Sequence, residues 1–596
     1  MCGILGFIGN EMPSVEKFEN ALNKISHRGP DNIEYNQIDN KCILGHTRLS
    51  IIDLESRSNQ PFQIGDYFIT YNGEIFNFIE LKTQLQENGY VFKTKSDTEV
   101  LLYSYIHWDE KCVEKFNGMW AFCIYNKKNK KAFLSRDRFG VKPLRYYYKD
   151  KNLIFASESK AILPLVNHKV KPNIEKIINF IKESEGCFST STWFDDIYNL
   201  LPGHNAIFCN GELNSYQYFK SPVKKSLSSN SKIFLKKLKN AINLRLISDV
   251  PIGYTLSSGL DSTSIVALAK SNEDDLVTYT AGFRSIESEH KLVEKFTNEY
   301  KIKNKIIYNE FKDEKAIHKL VYHLESGHGS PAILPLFSLY DKISKDRIKV
   351  VIEGQGADEL LAGYVSPNYI PFLFSKFMSL NFKDIIRILK SKKDFTKSEA
   401  LSKYFRSALL PFIRDLIFFF KNKNLLNVKY FFTKREKRLY LKSSNYFSNY
   451  LNRQHSQTLT NLLHYGDAIS MAYSIESRVP FLDINFINYC SNLIEDCKMG
   501  IYDNKFVGKL LFRKEMESIL PDYILHNKKK GFTTPVHRII NSDWAKSFLC
   551  NLRHIKSHSI LSLSSINKIE KNKSQFSENI LFRILITEVW FKNFYE

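Results

Sequence analysis

Cys2 is the first residue with a reactive side chain, in the opening stretch MCGILGFIGN. If Met1 is removed, Cys2 carries a thiol and a free α-amine on the same residue. A thiol is a weak nucleophile until it is deprotonated, and an α-amine with a pKa of about 8 is a suitable base. A cysteine at position 2 is also compatible with chance, so the interpretation depends on partner residues further along the chain.

Three short stretches supply groups that an amide-cleaving nucleophile needs. TYNGEIFN offers Asn72 and Gly73 as donors to a tetrahedral oxyanion, and GHTRLSIID offers Arg48 to bind an α-carboxylate through two hydrogen bonds. Glu74 beside the turn, or Asp97 in KSDTEV, would hold an α-ammonium. Each has an ordinary alternative, since Asn-Gly is a common turn, Asp97 suits a helix N-cap and Arg48 suits a surface ion pair.

A second kind of chemistry is indicated by PIGYTLSSGLDSTSIVALA at 251–269. An apolar strand is predicted to end at Leu256, before small residues and a helix, an arrangement that lets backbone N–H groups approach a phosphate. Asp261 would repel a phosphate alone and is better explained as a Mg²⁺ ligand beside one. The stretch lacks the Gly-Lys-Ser/Thr of a Walker A loop, and a Ser/Gly-rich helix cap is the structural alternative.

A similar loop follows in VVIEGQGADELLAGY at 350–364. It leaves an apolar strand through Gly354 and Gly356 and enters a helix with Asp358 and Glu359 in the first turn. Acidic residues there also complement the helix dipole. Two such loops at the ends of parallel strands would place Asp261 and Asp358 across one crevice, where they could share a Mg²⁺ ion on a nucleotide's phosphates.

The hydrophobic pattern divides the chain into two parts. Residues 2–165 contain many short strands separated by Gly and Asn turns, which predicts sheets packed face to face with helices outside. From residue 233 strand–turn–helix units predict a parallel sheet, and after 365 the pattern is largely helical. We expect an α+β αββα sandwich over 2–215, a polar linker, and an α/β parallel-sheet domain with a helical C-terminal part over 233–596.

The first part resembles the class II glutamine amidotransferase domain, an N-terminal-nucleophile fold. The matching motifs span 1–165 in order: MCGILGF, HRGPD (27–31), RLSIID, NGEIFN, SDTE and RDRFGVKPL (136–144). The resemblance implies that Cys2 attacks the amide of glutamine, forms a thioester and releases ammonia. It further implies an oxyanion hole at Asn72 and Gly73 and a glutamine-binding role for Arg48, Glu74 and Asp97.

The second part resembles the synthetase domain of glutamine-dependent asparagine synthetases. The motifs are SSGLDS, EGQGADE, SMAYSIESRVPFLD (470–483), KLLFRK (509–514) and KKKGFTTP (528–535). In that family ATP adenylates a carboxylate, pyrophosphate leaves and ammonia attacks the acyl-adenylate. The resemblance therefore implies ATP and Mg²⁺ as cofactors, and glutamine, ATP and a carboxylate as small-molecule partners.

The same resemblance assigns residues in the synthetase part. Lys509 is assigned to catalysis, and the carboxylates of Asp261 and Asp358 to Mg²⁺. The ATP-binding set is Leu256, Ser257, Gly259, Asp261, Ser262, Glu353, Gly354 and Arg513. The acceptor pocket is assigned to Gln355, Glu476 and Arg478.

Two positions depart from the family pattern. Ser258 replaces a glycine, which would cost about 1 kcal/mol if the position needs a positive φ. Gln355 stands where many asparagine synthetases have a glutamate linked to acyl-adenylate formation, and an amide cannot act as a base. The default acceptor is aspartate, and the alternative is another carboxylate such as a sugar uronate in surface-polysaccharide synthesis. A synthetase part that serves only as an interaction module is a third reading, disfavoured by Asp261, Asp358, Lys509 and Arg513.

The overall composition bears on possible binding partners and on the cellular compartment. The formal net charge is +22, but the positive charge is diffuse and no nucleic-acid-binding motif accompanies it, so no nucleic-acid partner is predicted. The 9 cysteines form no regular framework and no signal peptide is recognised, which indicates a cytoplasmic protein. A homodimer is compatible with the sequence.

The segment 366–445 is rich in Lys and Phe. FKDIIRILKSKK and FIRDLIFFFKNKN have the pattern of basic amphipathic helices, which lie on anionic membranes in some proteins. The favoured interpretation is that their apolar faces pack into the domain while their lysines are solvated.

Overall fold

The chain was analysed as a computed structural model. It describes residues 2–184, 189–220, 231–271, 275–282, 290–308, 314–408, 411–422, 425–430, 446–527, 536–571 and 576–596. The motif KKKGFTTP at 528–535 and part of the Lys/Phe-rich segment lie outside the described residues.

The N-terminal part is built from two six-stranded antiparallel sheets. One has the strand order β10-β8-β9-β1-β3-β2 and the other the order β12-β11-β7-β6-β5-β4. Aromatic and β-branched runs form these strands, and Gly, Asn and Asp turns separate them. The strands are β1 Gly3–Ile8, β2 Asn32–Gln37, β3 Cys42–Arg48, β4 Phe62–Ile64, β5 Tyr67–Ile75, β6 Gly118–Asn126, β7 Lys131–Arg136, β8 Arg145–Lys149, β9 Asn152–Ala156, β10 Ile197–Asn199, β11 His204–Cys209 and β12 Glu212–Gln217.

Helices cover the outer faces of both sheets. Ile4, Leu44, Ala121 and Phe155 belong to the core between the sheets, while separate apolar clusters lie under the helices on each side. The predicted αββα sandwich is therefore confirmed. The helices are α1 Val15–Asn23, α2 Phe78–Glu87, α3 Asp97–Trp108, α4 Cys112–Lys115, α5 Ser159–Ile162 and α6 Ile174–Glu183.

The second part contains a five-stranded sheet of order β15-β14-β13-β16-β17, in which every pair is parallel, as predicted. Its central neighbours β13 and β16 are in register with Tyr254 opposite Ile352, so the two loops that follow them leave the same edge. The strands are β13 Ile252–Thr255, β14 Val277–Gly282, β15 Lys303–Tyr308, β16 Val350–Ile352, β17 Glu476–Arg478 and a separate antiparallel hairpin of β18 Met499–Tyr502 and β19 Lys505–Gly508.

Helices surround this sheet and form most of the described chain after residue 365, also as predicted. The C-terminal helix α26, Glu578–Tyr595, is buried along most of its length and packs on α10, α6 and α22. The helices are α7 Ser231–Arg245, α8 Leu260–Lys270, α9 His290–Glu299, α10 Glu314–Leu324, α11 Ile333–Lys345, α12 Ala357–Leu360, α13 Val365–Met378, α14 Phe382–Lys390, α15 Lys397–Ala408, α16 Pro411–Lys421, α17 Tyr446–Met471, α18 Ile484–Ser491, α19 Glu495–Lys498, α20 Leu510–Glu515, α21 Asp522–Leu525, α22 Val536–Ile540, α23 Asp543–Leu549, α24 Arg553–Ser557 and α25 Leu563–Lys571.

A buried ion pair and a buried hydrogen bond join the two parts. Arg28 of the sandwich donates to Asp467 of α17 at 2.9 Å, and Asn117 donates to Asp483 at 2.7 Å. Arg28 is fully buried and also donates to Glu158, so replacing it by a neutral residue would leave two buried carboxylates without this cation. The contacts fix the sandwich against the parallel-sheet part.

The Lys/Phe-rich segment follows the prediction only in part. The helices α14 and α16 form, but Phe382 and Ile386 of α14 and Phe420 of α16 are more than half exposed. Ile388 alone of α14 is buried. The favoured interpretation, in which the apolar faces pack into the domain, is therefore wrong for these side chains, because α14 contacts the fold along a single narrow stripe.

Candidate active sites

Cys2 lies at the start of β1, against the end of β5. Its backbone N–H donates to Asn72 Oδ1 at 3.0 Å, and its carbonyl accepts from Arg28 Nε at 3.0 Å. Burial raises the pKa of the Cys2 thiol, while positive charge at Arg48 acts in the opposite direction. A buried, protonated thiol needs a base before it can act as a nucleophile, and the Cys2 nitrogen becomes a basic amine only after removal of Met1.

Asn72 and Gly73 are positioned by the pairing of β5 with β6. Asn72 is fully buried, and among the described residues its Nδ2 has no hydrogen-bond partner, so the amide can donate to an oxyanion beside Cys2. A Cβ at position 73 would overlap the carbonyl oxygen of Met119, so only glycine fits this close approach of the strands. This pair is part of a strand rather than an isolated turn.

One cavity brings the predicted glutamine-binding residues together. Its lining includes Cys2, Arg48, Gly73, Glu74 and Asp97, which are separated by up to 95 positions in sequence. The grouping is the arrangement that the resemblance implied, with a thiol, a guanidinium and two carboxylates facing one space.

Arg48 is buried, and the surface ion pair considered as its alternative role is absent from its described contacts. The guanidinium donates to the Glu55 carbonyl at 2.8 Å, to Asn59 Oδ1 at 2.6 Å and to the Asp53 carbonyl. These acceptors are neutral, so they orient Arg48 at the end of β3 without cancelling its charge. Its charge remains available to a carboxylate ligand.

Asp97 is the first residue of α3, and the N-cap is Ser96, whose hydroxyl accepts from the Thr98 N–H at 3.1 Å. Asp97 Oδ2 instead accepts from Tyr71 Oη at 2.8 Å and from the Ile75 N–H at 3.0 Å. Burial raises the pKa of Asp97 to about 6 against these hydrogen bonds. A buried carboxylate of this kind binds an ammonium strongly once it is ionised.

Glu74 is the second acid of the cavity. Burial, reinforced by the charges of Asp97 and Glu476, raises the pKa of Glu74 well above its usual range. Arg478 pairs with Glu476 and also reaches Glu74, whereas Asp97 has no ion pair among its described contacts, so a cation bound beside Asp97 would relieve the remaining repulsion. This electrostatic demand matches the α-ammonium of an amino acid.

Two further residues shape the cavity and were missed from the sequence. Tyr71 holds Asp97 through its hydroxyl, and Gln60 accepts from the Tyr71 N–H at 2.7 Å through its Oε1. Tyr71 directly precedes Asn72 on β5, so strand alternation predicts that its side chain lies on the face opposite to that of Asn72. Gln60 carried no such signal, because it is contributed by a loop.

Glu476 and Arg478 lie at the junction of the two parts, whereas the sequence prediction put them in an acceptor pocket. Arg478 Nε donates to Glu476 Oε1 at 2.5 Å, and Arg478 Nη2 lies 3.7 Å from Glu74 Oε1. Burial would raise the pKa of Glu476, but positive charge at the N-terminus, Arg478 and Lys142 holds it at about 2. Arg478 therefore links Glu476 to Glu74, one of the residues that line the cavity around Cys2.

The loop after β13 has the compact form expected of a phosphate loop. Ser257 Oγ and Ser262 Oγ are 3.0 Å apart, and the Gly259 N–H donates to Ser257 Oγ at 3.2 Å. Leu256 still belongs to the sheet, since its N–H donates to the Tyr279 carbonyl at 2.9 Å. The adjoining loop contacts this one, because a Cβ on Gly354 would lie 3.0 Å from the Asp261 Cβ.

Ser258 does not carry the strain considered from the sequence. It is absent from the residues with positive φ, and its hydroxyl accepts from Asn527 Nδ2 at 3.0 Å. Asn527 also donates to the Ser258 carbonyl at 2.9 Å. The serine therefore ties the phosphate loop to the segment after α21.

Lys509 joins the two acidic residues of the loops. Its Nζ lies 2.6 Å from both oxygens of Asp261 and also contacts Asp358 Oδ1. The carboxylates are therefore close enough to share one cation, as predicted from the parallel strands. Two carboxylates converging on one point are hard oxygen donors of the kind that Mg²⁺ prefers.

Gly363 is required by this arrangement and was missed from the sequence. A Cβ at position 363 would overlap Asp358 Oδ1 and the Lys509 side chain. The signal was present as the Gly in LLAGY, but a glycine three residues after the end of a short helix also suits an ordinary turn.

Glu353 and Gln355 both reach toward Gly466 of α17. The Glu353 carboxylate accepts from Ser477 Oγ at 2.7 Å and from Tyr340 Oη, and burial raises its pKa. Gln355 Oε1 is buried without a partner among the described residues. The structure thus places a neutral amide at position 355, with a buried carboxyl group nearby.

Arg513 lines a cavity of about 80 Å³ next to Gly363. Its Nε donates to the Gly508 carbonyl at 3.2 Å, and Nη1 donates to the Leu525 carbonyl. Asp394, Lys505 and His526 also line the cavity. Arg513 is thus anchored beside Lys509, one turn later on the same helix.

A separate cluster of His27, Glu158 and His323 has the spacing of a metal site, with ligand atoms within 4.8 Å of one another. Glu158 already accepts from Arg28 at 2.7 Å and contacts Lys160. Two buried cations against the only carboxylate oppose a further positive ion. The cluster is better explained as part of the junction between the two parts.

Comparisons with known proteins give the family. A glutamine amidotransferase domain model matches residues 1–219, and an asparagine synthase model matches residues 234–592. The chain is 31% identical to asparagine synthetase [glutamine-hydrolyzing] 1 of Bacillus subtilis, over 92% of this chain and 90% of the relative.

Two other relatives are more distant. Asparagine synthetase [glutamine-hydrolyzing] 3 of the same organism is 28% identical over 92% of this chain and 90% of its own length. Amidase chry2 of Gibberella zeae is 26% identical over 90% and 89%. Together with the two domain models, the match to the first relative shows that the chain belongs to the glutamine-hydrolysing asparagine synthetase family.

Proposed function

We propose that the chain converts aspartate to asparagine, with glutamine as the nitrogen donor and ATP as the activating nucleotide. Glutamine and water give glutamate and ammonia; the carboxylate and ATP give an acyl-adenylate and pyrophosphate; ammonia then displaces AMP. The observation that carries the proposal is the contact of Lys509 with both Asp261 and Asp358, at the edge of a parallel sheet. The family and the names of its relatives support aspartate as the acceptor.

In the sandwich, Cys2 attacks the glutamine amide carbon to form a thioester. Asn72 Nδ2 and the Gly73 N–H stabilise the oxyanion, since both are positioned before the substrate arrives. Arg48 binds the α-carboxylate, while Glu74 and Asp97 bind the α-ammonium. The buried acids favour a substrate that brings a positive charge into the cavity.

In the parallel-sheet part, the loops after β13 and β16 bind ATP. Ser257, Gly259 and Ser262 bind the phosphates, and Leu256 and the Glu353–Gly354 backbone border the nucleoside. Mg²⁺ would be held by Asp261 and Asp358, and it supplies charge neutralisation for the departing pyrophosphate. Lys509 and Arg513 add positive charge at the same place.

Ammonia passes inside the protein from Cys2 to the acyl-adenylate. The junction between the two sites is buried, and Lys142 lies within it, 3.8 Å from Asp467 Oδ1. Burial lowers the pKa of Lys142, which lessens the positive charge along this route. An uncharged ammonia molecule crosses such a region more easily than an ammonium ion does.

A second candidate keeps the chemistry and changes the acceptor to another carboxylate, such as a sugar uronate. Gln355 supports it, because its neutral amide lies where a glutamate would contribute charge, and its Oε1 is unpartnered among the described residues. An acceptor with hydroxyl donors would satisfy that oxygen.

The test uses the full chain with glutamine, ATP, Mg²⁺ and aspartate, and measures glutamate, AMP and asparagine together. Equal amounts of AMP and asparagine are expected. A panel of other carboxylates, scored by pyrophosphate release, separates the candidates. Robust release with a uronate and none with aspartate would replace the first candidate with the second.

A further inference from the structure

An exposed apolar surface lies where α13 turns into α14. Six side chains between 42% and 74% exposed form it: Phe377, Met378, Leu380, Phe382, Ile386 and Leu389. The rings of Phe377 and Phe382 have centroids 6.0 Å apart, so the surface continues across the turn. Scattered exposed apolar residues are common, but a contiguous group of this size marks an interaction surface.

Positive charge borders this surface in a regular way. On α14, Lys383, Arg387 and Lys390 each follow one of its apolar residues and repeat at i, i+4 and i+7. Within the described part of the chain none of the three forms an ion pair. The one acidic residue of the helix, Asp384, is bonded to Asn381 at the N-cap. The helix thus has a narrow buried stripe, an apolar exposed stripe and a cationic stripe.

We propose that the α13–α14 surface docks on an anionic lipid bilayer. Residues 381–393 contain five Lys or Arg and one Asp, which is complementary to acidic headgroups. The exposed apolar side chains reach the acyl boundary while the long basic side chains extend to the phosphates. No helix in the described residues is long and apolar enough to cross a membrane, so the contact is peripheral.

The surface is separate from both candidate active sites. It includes none of the residues that line the cavity around Cys2 or contact Lys509. Residues 391–395 lead from α14 to the cavity beside Arg513, where Asp394 and Phe395 are found. Substitutions on the docking surface should therefore leave catalysis intact, which allows membrane binding to be tested by itself.

The experiment is co-sedimentation of the full chain with vesicles of phosphatidylcholine, alone or mixed with phosphatidylglycerol. The triple variant Lys383→Gln/Arg387→Gln/Lys390→Gln should bind the mixed vesicles about 100-fold more weakly, since each cation near an anionic surface contributes about fivefold. The matched control is Lys232→Gln/Lys236→Gln/Lys239→Gln on α7, three exposed lysines at identical spacing. It should bind like the unaltered chain.

A second variant tests the apolar contribution. Phe377→Ser/Phe382→Ser/Ile386→Ser should lose at least about tenfold in binding to the mixed vesicles while keeping glutaminase and ammonium-dependent activity. Failure of the unaltered chain to bind mixed vesicles would overturn the proposal, as would equal loss in the α7 control. So would a dimer that this variant converts to monomer, because the surface would then be a contact between two copies.

Discussion

The two candidate sites are built in opposite ways. Around Cys2, Glu74 and Asp97 are buried in the sandwich beside Arg478 of the second part, and burial raises the pKa of both acids. At the sheet edge, Asp261 and Asp358 lie in the first turns of α8 and α12, just after the two loops, and both contact Lys509. Lys509 therefore neutralises both acids of the second site, whereas in the first site Asp97 has no cation partner among its described contacts. Under the proposed function, the enclosed cavity suits glutamine, a small zwitterion, and the sheet edge suits the phosphates of ATP.

The largest expected effect separates the two sites outright. Cys2→Ala removes the nucleophile, so glutamine-dependent amidation should fall by about 10⁴-fold or more. Activity with added ammonium should stay within about twofold, because the synthetase residues are unchanged. Glutamate release and AMP formation, measured in parallel, check both statements.

The exposed Cys550 provides a matched control for this substitution. Cys550→Ala should retain both activities. Loss of ammonium-dependent activity in Cys2→Ala would contradict the separation of the sites.

A substitution at the sheet edge should have the opposite effect: it should lower the synthetase activity and leave the glutaminase activity unchanged. Asp358→Asn removes one of the two charges on Lys509, and pyrophosphate release should drop by about 10³-fold. Glutaminase activity should persist. Asp341→Asn is the control, since that exposed carboxylate pairs only with Lys345 among its described ion pairs. An equal drop in glutaminase activity would mean that the two sites fold or act as one.

The sequence carried unequal information about the two sites. The residues around Cys2 could be predicted because ordered motifs and strand alternation fix which groups share a face. Gln60 could not, since a loop carries no periodicity. The assignment of Glu476 and Arg478 to an acceptor pocket stays a prediction, and the contact of Arg478 with Glu74 across the junction could not be read from the pattern of either part. The fold class could be predicted from the periodicity of the strands. The exposed face of α14 could not, because it depends on which of its side chains pack against the rest of the protein.

A smaller effect is expected from the oxyanion donor. Asn72→Ala removes the unpartnered Nδ2, so kcat for glutamine hydrolysis should fall by about 10²- to 10³-fold with KM little changed. The control Asn88→Ala lies at the exposed end of α2 and should be silent. A change in KM alone would assign Asn72 to substrate binding rather than to the transition state.

Gly363→Ala probes how tightly the sheet edge is assembled. The added methyl group must displace Asp358 or Lys509, and a shift of about 1 Å in a positioning residue can lower a rate by about 100-fold. Pyrophosphate release should therefore fall while glutaminase activity does not. Gly282→Ala, where a Cβ meets its nearest neighbour at 3.4 Å, should change neither activity.

The smallest expected effect is a pH dependence that glutamine hydrolysis should show and the ammonium-dependent reaction should not. Asp97 has a pKa raised to about 6, so it is ionised above that pH and protonated below it. Because only the ionised form binds an α-ammonium, kcat/KM for glutamine should fall about tenfold per unit below pH 6, through KM.

The rate of the ammonium-dependent reaction, compared at constant free ammonia, should not show this decrease below pH 6. Its paired carboxylates contact Lys509 and do not face glutamine. A step at the same pH in both reactions would show that the titrating group serves the synthetase site, or the junction, instead of the glutamine cavity. Asp97 would then affect the ammonium-dependent reaction as well as glutamine hydrolysis. The two sites would no longer differ in how their acidic residues respond to pH.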